Sequence, residues 1–237
     1  MPKVIFKDIG ETPYQKAWDF QTQLHNEVKE AKIARREWTE EEKANADKKN
    51  YLVFCSHPAV YTLGKSGKMD NLLLNEKQLE EKEIEFFKIN RGGDITFHGP
   101  GQIVGYPIFD MDEFFTDIHK YVRLLEEVII RTLADFNVDA GREEGFTGVW
   151  LPSTSNQPKR KICAIGVHLS RWVTMHGFAF NVNTELNYFN FIVPCGIDDS
   201  DKAVTSLSAE IGKKVDFKKV KVCLKKHFAQ LFKIEYV

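Results

Sequence analysis

No apolar run in this 237-residue sequence approaches the ~20 residues that a membrane-spanning helix needs. Its start, Met1-Pro2-Lys3-Val4-Ile5-Phe6-Lys7, lacks the long apolar stretch of a secretory signal. Neither a membrane nor an export route is therefore expected. Charge of one sign is also missing: Lys+Arg 33 against Asp+Glu 34 leaves a formal net charge of −1. That balance excludes a globally basic nucleic-acid binder and a polyacidic tail protein, and leaves only local patches to consider. The 4 cysteines, at positions 55, 163, 195 and 223, stand far apart with no CxxC spacing. A disulfide framework or structural zinc site is not expected in so long a chain, and a reduced cytoplasmic enzyme fits best. There is no HExxH and no acidic ligand cluster, and Cys55-x-His57 alone does not make a metal site, so no metal is expected. A phosphate loop of the form GxxxxGK[ST], a strand-to-helix GxGxxG and a GxSxG elbow are absent as well. Internal repeats are not found.

What is present is ordinary for a globular protein: 43% hydrophobic and 28% charged residues, enough to bury a proper core. We expect one domain over residues 1–237. Strand-like runs cover Val4 to Ile9, Tyr51 to Cys55, Glu85 to Asn90, Gln102 to Phe109 and Thr147 to Leu151. Two longer ones cover Lys161 to Leu169 and Val173 to Asn183, with Ser170-Arg171 as the turn between them. Thr12-Pro13 reads as the cap and first position of a helix carrying Tyr14, Ala17, Phe20, Leu24, Val28 and Ala31 on one face. A second helix from near Thr116 and a third from near Asp216 show the same periodicity. Residues 31–50 are mostly charged and read as a solvated helical extension or loop. Strands outnumber helices and often follow one another directly, which predicts an α+β fold with a mixed or antiparallel sheet and flanking helices.

The densest punctuation is Arg91–Gly105, RGGDITFHGPGQIVG, where glycines allow close approach of backbone and Arg91 adds a cationic fork. It reads either as a hairpin with glycine turns or as a substrate-lining loop. Cys195, between Pro194 and Gly196, lies on a turn where its sulfur can be exposed, whereas Cys55, Cys163 and Cys223 occupy apolar runs or a buried helix face. A thiol nucleophile needs help to ionise. His98 and His176 are the obvious bases; Lys161, opening the apolar run Ile162–Gly166, is another, against the reading of PKRK as a solvated basic loop.

Several ordered blocks then coincide. They are HPAVYTLG (57–64), RGGDITFHGPGQ (91–102), RKICAIGV (160–167), HGFAFN (176–181), PCGI (194–197) and VTSL (204–207). Together they resemble the lipoyl(octanoyl) transferases, the octanoyl-[acyl-carrier-protein]:protein N-octanoyltransferases, from about residue 50 to 212. That resemblance implies the fold of the biotin and lipoate protein ligase catalytic domain. It also implies octanoyl transfer from octanoyl-acyl carrier protein, through a thioester on Cys195, to one lysine of a lipoyl domain, as in 2-oxoacid dehydrogenases or glycine cleavage H protein. Lys161 falls on the family's paired lysine. The family's substrate-binding stretches fall on Arg91, Gly92, Gly93, Asp94, Ile95, Thr96, Phe97 and His98, on Ala164, Ile165 and Gly166, and on Gly177, Phe178 and Ala179. No cofactor is implied. Phe97, Ile165 and Phe178 are expected to line an apolar slot for the acyl tail. Cys163, two residues from Lys161, is expected on the same strand face, and Lys159, Arg160 and Lys202 read either as a docking patch or as a solvated loop. The alternatives are an ATP-dependent lipoate- or biotin-protein ligase on the same fold, a lipoyl amidotransferase, and a binding module without catalysis.

Overall fold

The computed structural model describes residues 1–39, 41–42, 46, 48–194 and 202–237. In chain order the elements are β1 (Lys3–Glu11), α1 (Tyr14–Ala34), β2 (Tyr51–Ser56), β3 (Val60–Leu63), α2 (Glu76–Glu81), β4 (Glu85–Lys88), β5 (Ile95–His98) and β6 (Gln102–Ile108). They continue with α3 (Ile118–Ala134), β7 (Gly141–Glu143), β8 (Phe146–Leu151), β9 (Lys159–Ser170), β10 (Val173–Asn181), β11 (Lys202–Val204), α4 (Leu207–Ile211), α5 (Phe217–Phe232) and β12 (Glu235–Tyr236).

The large sheet runs β12-β1-β2-β6-β10-β9-β8-β7, with β11 alongside β9. The pairings of β1 with β12 and β2, and of β11 with β9, are parallel; the others are antiparallel. Side chains alternate across it as the pleat requires. Leu52, Phe54, Ile103, Phe178 and Phe180 face the layer of α3 and α5. Tyr51, Val53, Cys55, Val104, Tyr106 and Ala179 face Ala17, Leu24 and Val28 of α1. A smaller sheet, β4-β3-β5, carries its own core of Tyr61, Leu63, Ile95 and Phe97 under Leu74, Leu79 and Ile192. The expected α+β architecture with mixed sheets and flanking helices is the one found.

The helices start where local chemistry dictates. Asp117 caps α3 by accepting from the Lys120 amide, and Asp216 caps α5 by accepting from that of Lys218. α1 differs from expectation. The Thr12 hydroxyl donates back to the Ile9 carbonyl at 2.8 Å, and helical geometry begins only at Tyr14, after Pro13. The β9–β10 turn is also one residue later than expected: Ser170 pairs with Val173, and Arg171 and Trp172 form the two-residue loop, with φ of 52° and 61°. Positive φ at both positions matches the twist of the flanking strands.

Most of the described residues of 31–50 are exposed, as in a solvated helical extension, but Lys32 and Arg35 turn inward. α1 continues to Ala34, and Lys32 sits 2.7 Å from both Asp110 and Asp112. Arg35 reaches Asp110 at 3.1 Å, and the Lys32 and Arg35 side chains are only 10% and 12% exposed. These two charges tie α1 to the loop after β6, whereas Arg36, Glu37, Glu41, Glu42 and Lys49 are exposed.

Candidate active site

The glycine-rich segment is not a paired hairpin. β5 joins β3 in the small sheet, whereas β6 joins β2 and β10 in the large one, so the Gly99–Gly101 turn carries the chain from one sheet to the other. The loop before β5 then folds back over β9. The Gly92 amide donates to the Val167 carbonyl at 3.0 Å. Gly166 lies directly below, where a Cβ would stand 2.7 Å from the Gly92 carbonyl oxygen and 3.1 Å from Arg91 Cδ. Only glycine permits that approach.

Between this loop and the sheet lies a cavity of about 360 Å³. Arg91, Gly92, Gly93, Asp94, Ile95, Thr96 and His98 line it from the loop and β5. Lys161, Ala164, Ile165 and Gly166 line it from β9, and Gly177, Phe178 and Ala179 from β10. These segments are remote in sequence and are brought together because β9 and β10 pair residue for residue, with Gly177 opposite Gly166, Phe178 opposite Ile165 and Ala179 opposite Ala164. Pro194 reaches the same wall; Cys195 lies outside the described residues.

One expectation differs. Phe97 is not on the cavity wall: its ring stacks on Tyr188 at 4.6 Å and packs against Tyr61 and Phe189 in the core of the small sheet. β5 belongs to that sheet, and the Phe97 side chain is part of its core. Cys163 is fully buried in the core beneath α3 and α5 and is absent from the wall, so it packs as a small hydrophobe. Residues that sequence reasoning did not assign to the wall include Tyr14, Tyr106, Val122, Phe146, Asn181 and Phe189. A tyrosine at helical spacing, as Tyr14 is, reads as core, and only the crossing of α1 over the gap between the sheets turns it toward the cavity.

Lys161 is half-buried on β9, with Nζ 4.5 Å from the centre of the Trp150 ring across the β8 ladder. Lys159–Lys161 of PKRK is therefore strand and not a solvated loop. Lys159 pairs with Glu143 at 2.6 Å, and Arg160 is buried against Glu210 at 2.9 Å with further bonds to the Pro152 and Pro158 carbonyls. Arg160 is a structural anchor and offers no docking charge.

The polar groups form one directed chain. Arg91 Nη2 donates to the Thr62 hydroxyl at 3.0 Å, and that hydroxyl donates to His98 Nε2 at 3.2 Å. His98 Nδ1 donates to Gln102 Oε1 at 2.9 Å, Gln102 Nε2 to Asn181 Oδ1 at 2.9 Å, and Asn181 Nδ2 to the Thr205 carbonyl at 3.0 Å. The Thr205 amide donates to the Lys161 carbonyl at 2.9 Å. Beside it, His57 Nδ1 donates to the Thr12 carbonyl at 2.7 Å and Nε2 accepts from the Tyr106 hydroxyl at 2.9 Å. Both nitrogens of His98 are thus engaged, so it is not placed as a free base, and His176 Nε2 is held by Asn90 at 2.7 Å.

These imidazoles are neutral. Burial lowers His57 to about 4 and His176 to about 3, and takes His98 well below its ordinary range, helped by His57 and Arg91. An unfolded histidine titrates near 6.5, so below that pH the unfolded chain takes up protons that the folded one does not. Stability present above pH ~6.5 is therefore lost on acidification, at about 2 kcal/mol for each of the three by pH 5. Urea unfolding between pH 7.5 and 5 should show a loss of several kcal/mol, reduced in His57→Gln. A flat profile would mean that the folded imidazoles do take protons.

The sequence profile of the lipoyl protein ligase A/B catalytic domain matches residues 13–229. An octanoyltransferase from Cytophaga hutchinsonii is 57% identical over 231 residues, 98% of this chain and 93% of its own. One from Flavobacterium johnsoniae is 55% identical over 236 residues, 99% of each chain. Among solved structures, a bi-partite lipoate protein ligase from Thermoplasma acidophilum superposes with a TM-score of 0.70 over 100% of this chain and 86% of that one, at 16% identity, a likeness of fold. The chain belongs to the lipoyl protein ligase A/B catalytic domain family.

Proposed function

We propose that this protein is an octanoyltransferase that moves an octanoyl group from octanoyl-acyl carrier protein, through a thioester on Cys195, to the ε-amine of a lysine on lipoyl domains. The observation that carries the reading is the near full-length identity to octanoyltransferases, joined to a cavity with Lys161 and Pro194 on its wall. Acceptors of the kind found in 2-oxoacid dehydrogenases and glycine cleavage H protein suit it, and the reaction belongs to the cytoplasm, where thiols stay reduced.

The steps balance without a nucleotide. The Cys195 thiolate attacks the carrier thioester; the carrier sulfur leaves and takes a proton from the Lys161 ammonium. The acceptor amine then attacks the acyl-enzyme, its proton passes to the neutral Lys161, and Cys195 leaves as thiolate. Thiolate and ammonium are both restored. Val122, Ile165 and Phe178 supply apolar wall for the chain. At ~0.8 kcal/mol per buried CH₂ and about 1–3 kcal/mol for a missing methylene in a fitted slot, discrimination between neighbouring chain lengths is graded and not absolute.

The purified protein mixed with octanoyl-acyl carrier protein, without nucleotide, should gain one octanoyl group, mapped by mass spectrometry to Cys195 and discharged by a lipoyl domain. If no adduct forms, and a lipoyl domain is modified only from free acid with ATP, the protein is a ligase.

A further inference from the structure

Lys161 has an unusual neighbour. Trp150 is its register partner on β8, 3% exposed, with the indole face 4.5 Å from Nζ. The indole Nε1 is buried and has no hydrogen-bond partner among the described residues. A buried donor left unpaired is a cost that phenylalanine would avoid, so what the site retains is the tryptophan face, the strongest of the aromatic faces toward a cation.

The backbone around it is set to make this contact. The β8–β9 ladder shifts register between Val149 and Trp150, next to Gly148 at φ 121°. A Cβ on Gly148 would stand 2.5 Å from the Cys163 carbonyl oxygen and 3.8 Å from Lys161 Cε, so the lysine stem runs through space that a side chain would narrow. The Gly148 amide is pinned by Glu126 Oε1 at 3.1 Å. Other charged and titratable groups are placed around the lysine. Glu126 of α3 is fully buried and bound by Arg123 and Arg142 through its other oxygen. Cys163 on β9 stays a neutral thiol through burial, and Lys202 on β11 lies over the Phe146 ring at 5.1 Å.

We propose that Trp150 is a positioning residue for Lys161, its indole face holding the ammonium at the cavity wall and favouring the charged form between turnovers. This rests on the reading of Lys161 as the proton carrier. A face that favours ammonium acts oppositely on the two half-reactions. It supports the Cys195 thiolate in the first, and it delays formation of neutral Lys161 in the second.

The test is site-specific incorporation of mono-, di- and trifluorotryptophan at position 150, which weakens the π face while keeping the ring's shape. With each fluorine, the pH midpoint of Cys195 alkylation should rise, and that of acyl-enzyme discharge by the acceptor should fall. The full series should span about half to one pH unit. Trp150→Phe should fall within that range. Absence of a graded trend, while Lys161→Ala still moves both midpoints, would overturn the inference alone. If Lys161→Ala moves neither midpoint, the reading of Lys161 fails first, and the inference with it.

Discussion

Cys195→Ser is expected to reduce octanoyl transfer by roughly 10³-fold or more, because an alcohol at its ordinary pKa supplies almost no anion to attack a thioester. Cys163→Ser and Cys223→Ser should keep transfer within a few-fold. Burial of the sulfur gives this contrast its physical basis. Cys55 and Cys163 are fully buried, and desolvation pushes both thiols well above the ordinary range. Cys223 is raised too, by burial and then by Asp135 beside it. None of the three lines the cavity, whereas the chain leads into Cys195 from Pro194, which does. Single-turnover transfer with each variant, alongside a thermal melt, separates chemistry from folding. Equal losses in all three serine variants would remove the assignment of one nucleophile.

The periodic elements were legible before any coordinates. The spacing predicts an apolar stripe of Ile118, Tyr121, Val122, Leu125, Val128, Ile129, Leu133 and Phe136. Of these, Tyr121, Leu125, Val128, Ile129 and Leu133 are buried and the others pack partly buried against the same core. The paired runs of β9 and β10 fall within two residues of their expected limits. The cavity wall was legible through the family resemblance: the 91–98, 164–166 and 177–179 stretches that it implied converge apart from Phe97. What stayed hidden depends on which sheet a short strand joins. β3 and β5 are four residues each, and nothing local shows that β5 pairs with β3 and turns Phe97 away from β10. Arg160 shows the same limit for charge. Lys159, Arg160 and Lys202 read as a docking patch or a solvated loop, but the pairing of Arg160 with Glu210 makes it an anchor. Lys32 and Arg35 show it again, since Asp110, which neutralises both, lies far along the chain.

Lys161→Ala is expected to slow transfer by roughly 10²–10⁴-fold, the usual contribution of a placed proton carrier. It should also move Cys195 alkylation to higher pH, toward the ~8.5 of a free thiol, since an ammonium near a thiolate favours the anion. The two roles can be separated. Lys161→Arg keeps a cation opposite Trp150 but cannot release a proton at working pH. In that variant alkylation of Cys195 should remain near the wild-type profile, while discharge of a preformed acyl-enzyme by a lipoyl domain falls as far as in Lys161→Ala. If arginine restored discharge, the lysine would be acting through its charge alone, and the acceptor's proton would leave by another route. If alkylation in Lys161→Ala kept its wild-type pH dependence, the lysine would have no electrical contact with the thiol, and the cavity's one half-buried β9 cation would serve the acceptor amine only.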